Sequence, residues 1–255
     1  MKKILLALVV GVLFFACSEE DEVAHREAKL FSMTFAFGEA IIDEENGRLY
    51  IDVPQDVNLV TLMPEIEISK GATIYPPAGV ALDFSNPVNF TITSEDGSTK
   101  KVYTAQAYKP IAEFSVYNAS AFSSENLTVE KAKGATIEVY LRREDVDTGG
   151  VYRTLTCNEE GKVSFHGDPE VEYCIVASHE KASNIKDGYL VKGVIDSEEA
   201  LNQYKYIDPE AKIGELMIGD VNGDARITEE DKTNCYWLYT WPKGIINKYA
   251  FYIVE

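Results

Sequence analysis

Histidine is scarce in this chain of 255 residues, and the short motifs of common hydrolases are missing from it. The three histidines, His25, His166 and His179, lie in separate segments, and none has an H-E-x-x-H or G-x-S-x-G context. Carboxylate pairs occur throughout so acidic a chain, so they do not point to a glycosidase site. The sequence therefore predicts a protein that is not an enzyme.

Cysteine is also scarce, and the four cysteines form no Cys-x-x-Cys pair or His/Cys cluster of the kind that binds zinc. Cys17 belongs to the N-terminal signal considered below, which leaves Cys157, Cys174 and Cys235. Cys157 ends one predicted strand and Cys174 lies in another, so these two are the candidates for a disulfide bond.

Basic residues are few, with 24 lysines and arginines compared with 42 aspartates and glutamates, so the formal net charge is −18. Phosphate backbones repel such a chain, so nucleic acid is not expected as a partner. The apolar content is that of an ordinary globular protein and not of a disordered one. The length suggests two domains or one large all-β domain.

Long apolar runs are missing except at the start, where residues 1–17 read "MKKILLALVVGVLFFAC". Two lysines precede an apolar run that is too short to span a bilayer comfortably, which is typical of a secretory signal. Because the run ends at Cys17 and not at an A-x-A site, it resembles a bacterial lipoprotein signal, in which this cysteine carries the lipid. An ordinary signal peptide and a buried helix are the alternative interpretations.

An acidic tether is predicted over residues 18–26, which begin "SEEDE". An acidic run directly after the lipidated cysteine resembles the surface-export signal of Bacteroides-type lipoproteins, and it is equally typical of a solvated, disordered linker. The resemblance implies an outer-membrane protein that is held by the lipid on Cys17 and faces the cell exterior.

Short strands separated by turn signals fill residues 27–108. Asn46-Gly47 and the segment "EDGS" at 95–98 predict hairpin turns, and no helical periodicity is present, so a β-sandwich is expected. The order of turns in this segment resembles the N-terminal Ig-like module of Bacteroides-type surface lipoproteins. That resemblance implies a spacer or docking module.

A second β-sandwich is predicted over residues 110–255, so the expected fold class is all-β with two sandwich modules in tandem. The hairpin "YRTLTCNEEGKVSFHG" and the strand "VEYCIVASHEK" resemble a transthyretin-like or carboxypeptidase-regulatory-like sandwich over about residues 112–180. Ser197 is a candidate N-cap for one short helix within residues 196–207.

Residues 220–231 read "DVNGDARITEED", and oxygen-bearing side chains recur there at the spacing of a calcium-binding loop. The expected ligands are the side chains of five residues and one main-chain carbonyl, that of Arg226: Asp220, Asn222, Asp224, Arg226, Thr228 and Asp231. The pattern resembles a single dockerin loop, which ends in Asp where the EF-hand ends in Glu. A plain acidic turn is the alternative, and a bound calcium ion would have a structural role.

Two departures from the dockerin pattern affect this prediction. Gly usually occupies the sixth place of such a loop, where φ is positive, but Ala225 occupies it here at a cost on the order of 1 kcal/mol. Dockerins also carry two loops, whereas this chain has one, so a cohesin-binding surface is not expected.

Aromatic residues crowd the C-terminal segment "NCYWLYTWPKGIINKYAFYIVE", which includes both tryptophans. Trp237, Tyr239 and Trp241 are candidates for stacking on a ligand such as a sugar ring. Packing is the alternative, with "YAFYIVE" as a strand that closes the sandwich.

The expected function is non-catalytic binding on the outer membrane, with capture of glycans or glycoproteins for a polysaccharide-uptake system. The ligand class follows from the Bacteroides-type resemblance and from no single residue. The alternative is a structural or adhesive surface protein that binds another protein, for example through a free β-edge.

Overall fold

The computed structural model describes residues 26–238 and 245–255, and the chain forms two compact units. The first unit contains residues 26–51 and 58–107, and the second contains Asp52–Val57 and Tyr108–Glu255. Both consist mainly of β-strands, which confirms the predicted all-β fold class. In the described residues, no helix has the length and apolar character needed to cross a bilayer. The predicted signal, its lipidation site Cys17 and almost all of the tether lie outside the described residues.

The first unit contains two sheets. Its strands are β1 (Leu30–Phe35), β2 (Gly38–Glu39), β3 (Ile41–Asp43), β4 (Arg48–Asp52), β5 (Glu65–Ile68), β6 (Thr73–Tyr75), β7 (Val88–Thr93) and β8 (Lys100–Tyr108). One sheet has the order β2-β1-β5 and the other β3-β4-β8-β7-β6. A short 3-10 helix, Leu59–Thr61, follows β4 and is capped by the side chain of Asn58.

The core of the first unit is made by side chains that alternate inward along these strands. Tyr103 of β8 is fully buried, and its hydroxyl accepts a hydrogen bond from the Leu30 amide of β1 at 3.2 Å, which joins the two sheets. The predicted turn at Asn46-Gly47 connects β3 to β4, and Gly47 has a φ of 61°, a value that favours glycine.

In its described residues, the second unit contains three sheets and two short α-helices. Its strands are β9 (Pro110–Asn118), β10 (Glu130–Lys131), β11 (Thr136–Tyr140), β12 (Arg153–Thr156), β13 (Lys162–His166), β14 (Tyr173–His179), β15 (Ala182–Ser183), β16 (Ile185–Lys186), β17 (Tyr189–Val194), β18 (Leu216–Ile218), β19 (Tyr236–Leu238) and β20 (Asn247–Ile253). A four-stranded sheet has the order β10-β9-β13, with β20 parallel to β9. A five-stranded sheet has the order β12-β11-β14-β15, with β19 on β14, and a three-stranded sheet has the order β16-β17-β18.

The main core of the second unit joins the four-stranded and five-stranded sheets. Phe114 of β9, Phe165 of β13, Tyr173 of β14 and Phe251 of β20 are at most 2% exposed and contact one another through their rings. The strand β20 corresponds to the predicted closing segment "YAFYIVE", and it pairs with β9 along its whole length. Packing of these rings accounts for much of the aromatic content near the end of the chain.

Helices are short in this unit. Helix α1 (Arg143–Thr148) has no side-chain N-cap, whereas helix α2 (Glu198–Tyr204) is capped by Ser197, whose hydroxyl accepts a hydrogen bond from the Ala200 amide at 3.2 Å. The predicted helix and its N-cap are therefore confirmed. A 3-10 helix, Glu229–Asp231, forms the last three residues of the predicted calcium loop.

The turn at 95–98 is held by Asp96. Its carboxylate accepts hydrogen bonds from the Ser98 amide and hydroxyl and from the Ser94 hydroxyl, and these lower its pKa from 3.8 to about 2. Because the folded pKa lies below the ordinary value, this carboxylate stabilises the fold above pH 3.8. That stabilisation is lost as the pH falls through about 2.

Substitution of Ser98 by Ala is expected to raise the pKa of Asp96 toward 3.8, because the largest cause of the shift is removed. An NMR titration of the side-chain carboxyl carbons measures the midpoint. Ser85→Ala is the matched control, since Ser85 lowers the pKa of Asp83 in the same way and should leave Asp96 unchanged. A midpoint near 3.8 for Asp96 in the unmodified protein would contradict the prediction.

Candidate functional site

The predicted calcium loop leads from β18 to the 3-10 helix, and its first half is a series of tight turns. Asp220 accepts hydrogen bonds from the amides of Gly223 at 2.7 Å and Ala225 at 2.8 Å. Asn222 accepts one from Asp224 at 3.0 Å, and Asp224 accepts one from the next-but-one residue, Arg226, at 2.9 Å. These contacts wind the chain so that side-chain oxygens alternate along the loop.

Asp231 closes the loop from its far end. Its side chain is fully buried, and it accepts hydrogen bonds from the amides of Val221 at 2.8 Å, Asn222 at 3.2 Å and Thr228 at 2.7 Å. The Thr228 hydroxyl lies 3.3 Å from the same carboxylate. Burial raises the pKa of Asp231, but these hydrogen bonds outweigh it, so the net pKa is lower than the ordinary value.

Ala225 has a φ of 63°, in the left-handed region that glycine favours. The loop pattern predicted a positive φ at this sixth place, and the observed value confirms it. A residue with a Cβ is strained there by on the order of 1 kcal/mol. The turn is nevertheless formed, because Asp220 accepts a hydrogen bond from the Ala225 amide.

The fit of this loop to a cation differs among its residues. An ionised carboxylate has about four lone-pair positions. The hydrogen bonds occupy two of these positions on Asp220 and one on Asp224, so both carboxylates can still bind an ion. Asp231 accepts four hydrogen bonds and would have to release one to become a ligand. In residues 26–238 and 245–255, no three His, Cys, Asp or Glu side chains are gathered closely enough to hold a metal ion.

The disulfide bond differs from the predicted pair. Cys174 is bonded to Cys235, whereas Cys157 is a free, buried thiol whose pKa is raised to about 11 by burial. The reason is topological, because β19 pairs with β14 and brings Cys235 to a Cα separation of 5.6 Å from Cys174. Cys157 follows β12 on the other side of the sheet, in the main core.

The three candidate stacking residues are not equally placed. Trp237 lies on β19 and pairs with Cys174 of β14. Its side chain is half-buried against Tyr140 and the disulfide, so packing is its observed role. The neighbouring Leu238 is 2% exposed in the main core. Tyr239 and Trp241 lie outside the described residues.

A small pocket lies beside β19, at the point where it meets β17 and β20. It is lined by Leu190, Val191, Lys192, Tyr236, Tyr249, Ala250 and Phe251. Lys192 could not be identified from the sequence, because a lysine in a short strand shows no distinctive pattern. The aromatic residues on its walls were recognised only as part of the C-terminal cluster.

One known protein family matches most of the first unit. Residues 31–107 match the family described as "SGBP, N-terminal", the N-terminal domain of surface glycan-binding proteins. The match agrees with the expected N-terminal module of a surface protein. It covers less than half of the chain, and of the second unit it includes only Asp52–Val57. No curated protein was found to match the chain.

Solved structures resemble the chain only weakly. A protein provisionally named a glycoside hydrolase, from Bacteroides thetaiotaomicron, is 22% identical over 66% of this chain, with a TM-score of 0.32, and the chain spans 46% of its length. A secreted protein, also provisionally named, from Bacteroides fragilis is 19% identical over 34% of this chain and 98% of its own, with a TM-score of 0.28. The Bacillus anthracis TIE protein is 9% identical over 82% of this chain and 33% of its own, with a TM-score of 0.27. At TM-scores below 0.5, none of these likenesses indicates a function.

Removal of the disulfide by the double substitution Cys174→Ala and Cys235→Ala is expected to lower the free energy of unfolding by about 2–4 kcal/mol, because the unfolded chain loses a long closed loop. Urea unfolding measures the change. Dithiothreitol should destabilise both the unmodified protein and a Cys157→Ala variant, and it should have no further effect on the double variant. A peptide map that links Cys157 to Cys174 would contradict the assignment.

Proposed function

We propose that the protein is a non-catalytic glycan-binding protein of the bacterial cell surface. The observation that carries this proposal is the match of residues 31–107 to the N-terminal family of surface glycan-binding proteins. That family is one of binding proteins, and this agrees with the absence of hydrolase motifs around the three histidines. Capture of a glycan or glycoprotein for a polysaccharide-uptake system is the specific role proposed.

The two units have different parts in this proposal. The first unit serves as a spacer or docking module, as its resemblance implies. Four of its rings, Phe35, Phe84, Phe90 and Tyr103, lie in the core and are each at most 6% exposed, whereas Phe31 and Tyr75 are 48% and 74% exposed. The second unit is the proposed binding unit, since it contains the C-terminal aromatic cluster. Tyr239 and Trp241 remain the proposed stacking residues, and Trp237 has a supporting role.

Anchoring of the protein is proposed to occur through lipid on Cys17. The basis is the apolar run that ends at this cysteine, together with the acidic residues that follow it. The lipid would hold the protein in the outer membrane, with the acidic tether giving both units access to ligands at the cell exterior.

Calcium is proposed as a structural ion in the 220–231 loop. Asp220, Asn222 and Asp224 supply oxygen atoms with lone pairs that the internal hydrogen bonds leave available, and oxygen is the ligand that calcium prefers. The Arg226 carbonyl and Thr228 complete the proposed set. Asp231 would act mainly by holding the loop closed, and it becomes a ligand only if it exchanges a hydrogen bond for the ion.

Affinity electrophoresis of the protein in gels that contain neutral or acidic polysaccharides tests the proposed function. At least one polysaccharide is expected to retard the protein, and Trp241→Ala is expected to weaken retardation about tenfold, because a stacking ring is lost. Tyr206→Ala is the control, since this ring is 69% exposed but lies outside the aromatic cluster. Unchanged mobility in every gel would contradict glycan binding and favour a protein partner.

Asp224→Asn tests the calcium proposal, because the amide oxygen can still accept the hydrogen bond from Arg226 while the charge is lost. The unmodified protein is expected to show a higher thermal midpoint in calcium than in EDTA, and the variant should lose most of that difference. Glu230→Gln, an exposed neighbour outside the ligand set, is the control. Equal midpoints for the unmodified protein in calcium and in EDTA would refute calcium binding.

A further inference from the structure

Lys192 occupies an irregular position in β17. Val191 pairs with Ile218 and Gly193 pairs with Met217, so Lys192 is an extra residue at a bulge between them. A bulge of this kind redirects a side chain out of the regular alternation of the strand. Here it is Lys192 that lines the pocket, beside its neighbours Leu190 and Val191.

Space for the Lys192 side chain depends on a glycine. A Cβ atom at Gly219 would lie 3.0 Å from Cγ of Lys192, which is closer than ordinary packing allows. The ammonium group lies 5.1 Å from the centre of the Tyr236 ring, within the range of a cation–π contact. The stem and the ammonium are thus both positioned by the protein.

No carboxylate neutralises this lysine in the part of the chain that the structure describes. The pKa of Lys192 is lowered by desolvation alone, with no contribution from an acidic group. Lys192 is exposed at the surface, so an anionic ligand can reach its ammonium from solvent and supply a counter-charge.

The other walls of the pocket are suited to an apolar or ring-shaped surface. Tyr236 contacts Tyr249 and Phe251 with ring centroids 5.8 and 5.5 Å apart, and the aliphatic side chains of Leu190 and Val191 complete the lining. The lining therefore combines one charged side chain with aromatic and aliphatic ones.

We propose that this Lys192 pocket binds an acidic sugar residue, whose carboxylate or sulfate contacts the Lys192 ammonium while its ring packs against the aromatic wall. The inference rests on the proposed glycan-binding function and names the ligand class. The negative net charge of the protein does not prevent this contact, because exposed charges more than about 8 Å away are largely screened at physiological ionic strength. The lysine ammonium is a compact charge with three hydrogen-bond donors, so it can bind a carboxylate or a sulfate.

The same gels test this inference when the retained polysaccharide is also supplied in two neutralised forms, one carboxyl-reduced and one desulfated. Lys192→Gln is expected to bind the acidic polysaccharide about tenfold more weakly, because one charge-assisted hydrogen bond is lost. Lys192→Arg keeps the charge and should retain most of the binding. Lys212→Gln, an exposed lysine elsewhere in the second unit, is the control for net charge. Thermal midpoints establish that each variant is folded.

Each outcome decides between the two proposals. Loss of binding on carboxyl reduction identifies a uronate ligand, and loss on desulfation identifies a sulfated one; either result supports the pocket if Lys192→Gln shows the same loss. Retardation by neutral polysaccharides alone, or unchanged binding by Lys192→Gln, overturns the pocket and leaves glycan binding intact. If no polysaccharide retards the protein, the proposed function fails and the pocket inference fails with it.

Discussion

The Cys174–Cys235 bond is the constraint on which the arrangement of the second unit depends. It joins β14, inside the five-stranded sheet, to the residue directly before β19, and it lies beside the register that pairs these two strands. From that register follow the burial of Leu238, the packing of Trp237 and the position of Tyr236 on the pocket wall. The acidic loop therefore runs between two fixed points, β18 at one end and the disulfide at the other.

Groups of opposite charge lie close together where the acidic loop begins beside the pocket. Gly219 makes room for the unneutralised Lys192, and the adjacent Asp220 begins the series of acidic turns. The buried Asp231 shows how the protein deals with negative charge in this region, since several amides donate to it and lower its pKa in spite of burial. Lys192 has no equivalent set of acceptors in the described residues, and this difference is the basis for its proposed binding role.

Local signals were sufficient for some features and not for others. Asn46-Gly47 and Ser197 determine the local conformation of the residues next to them, so a hairpin and a helix could be predicted from the sequence. The positive φ of Ala225 could be predicted from its place in the loop. The partner of Cys174 could not be predicted, because Cys235 is 61 residues away in the sequence and only the pairing of β19 with β14 brings the two together. The bulge at Lys192 also escaped prediction, since it arises from the register between two strands and not from a sequence pattern.

The parallel pairing of β9 with β20 has a consequence for the order in which the protein is made. Asn247 lies beside Ala112 and Ile253 beside Asn118. The early strand β9 therefore cannot complete its pairing until the much later strand β20 has been synthesised. Contacts between such distant segments form slowly, because a long loop must close first. Until β20 emerges, one edge of β9 lacks its hydrogen-bonding partner, and an unpaired edge of this kind is open to pairing with another chain.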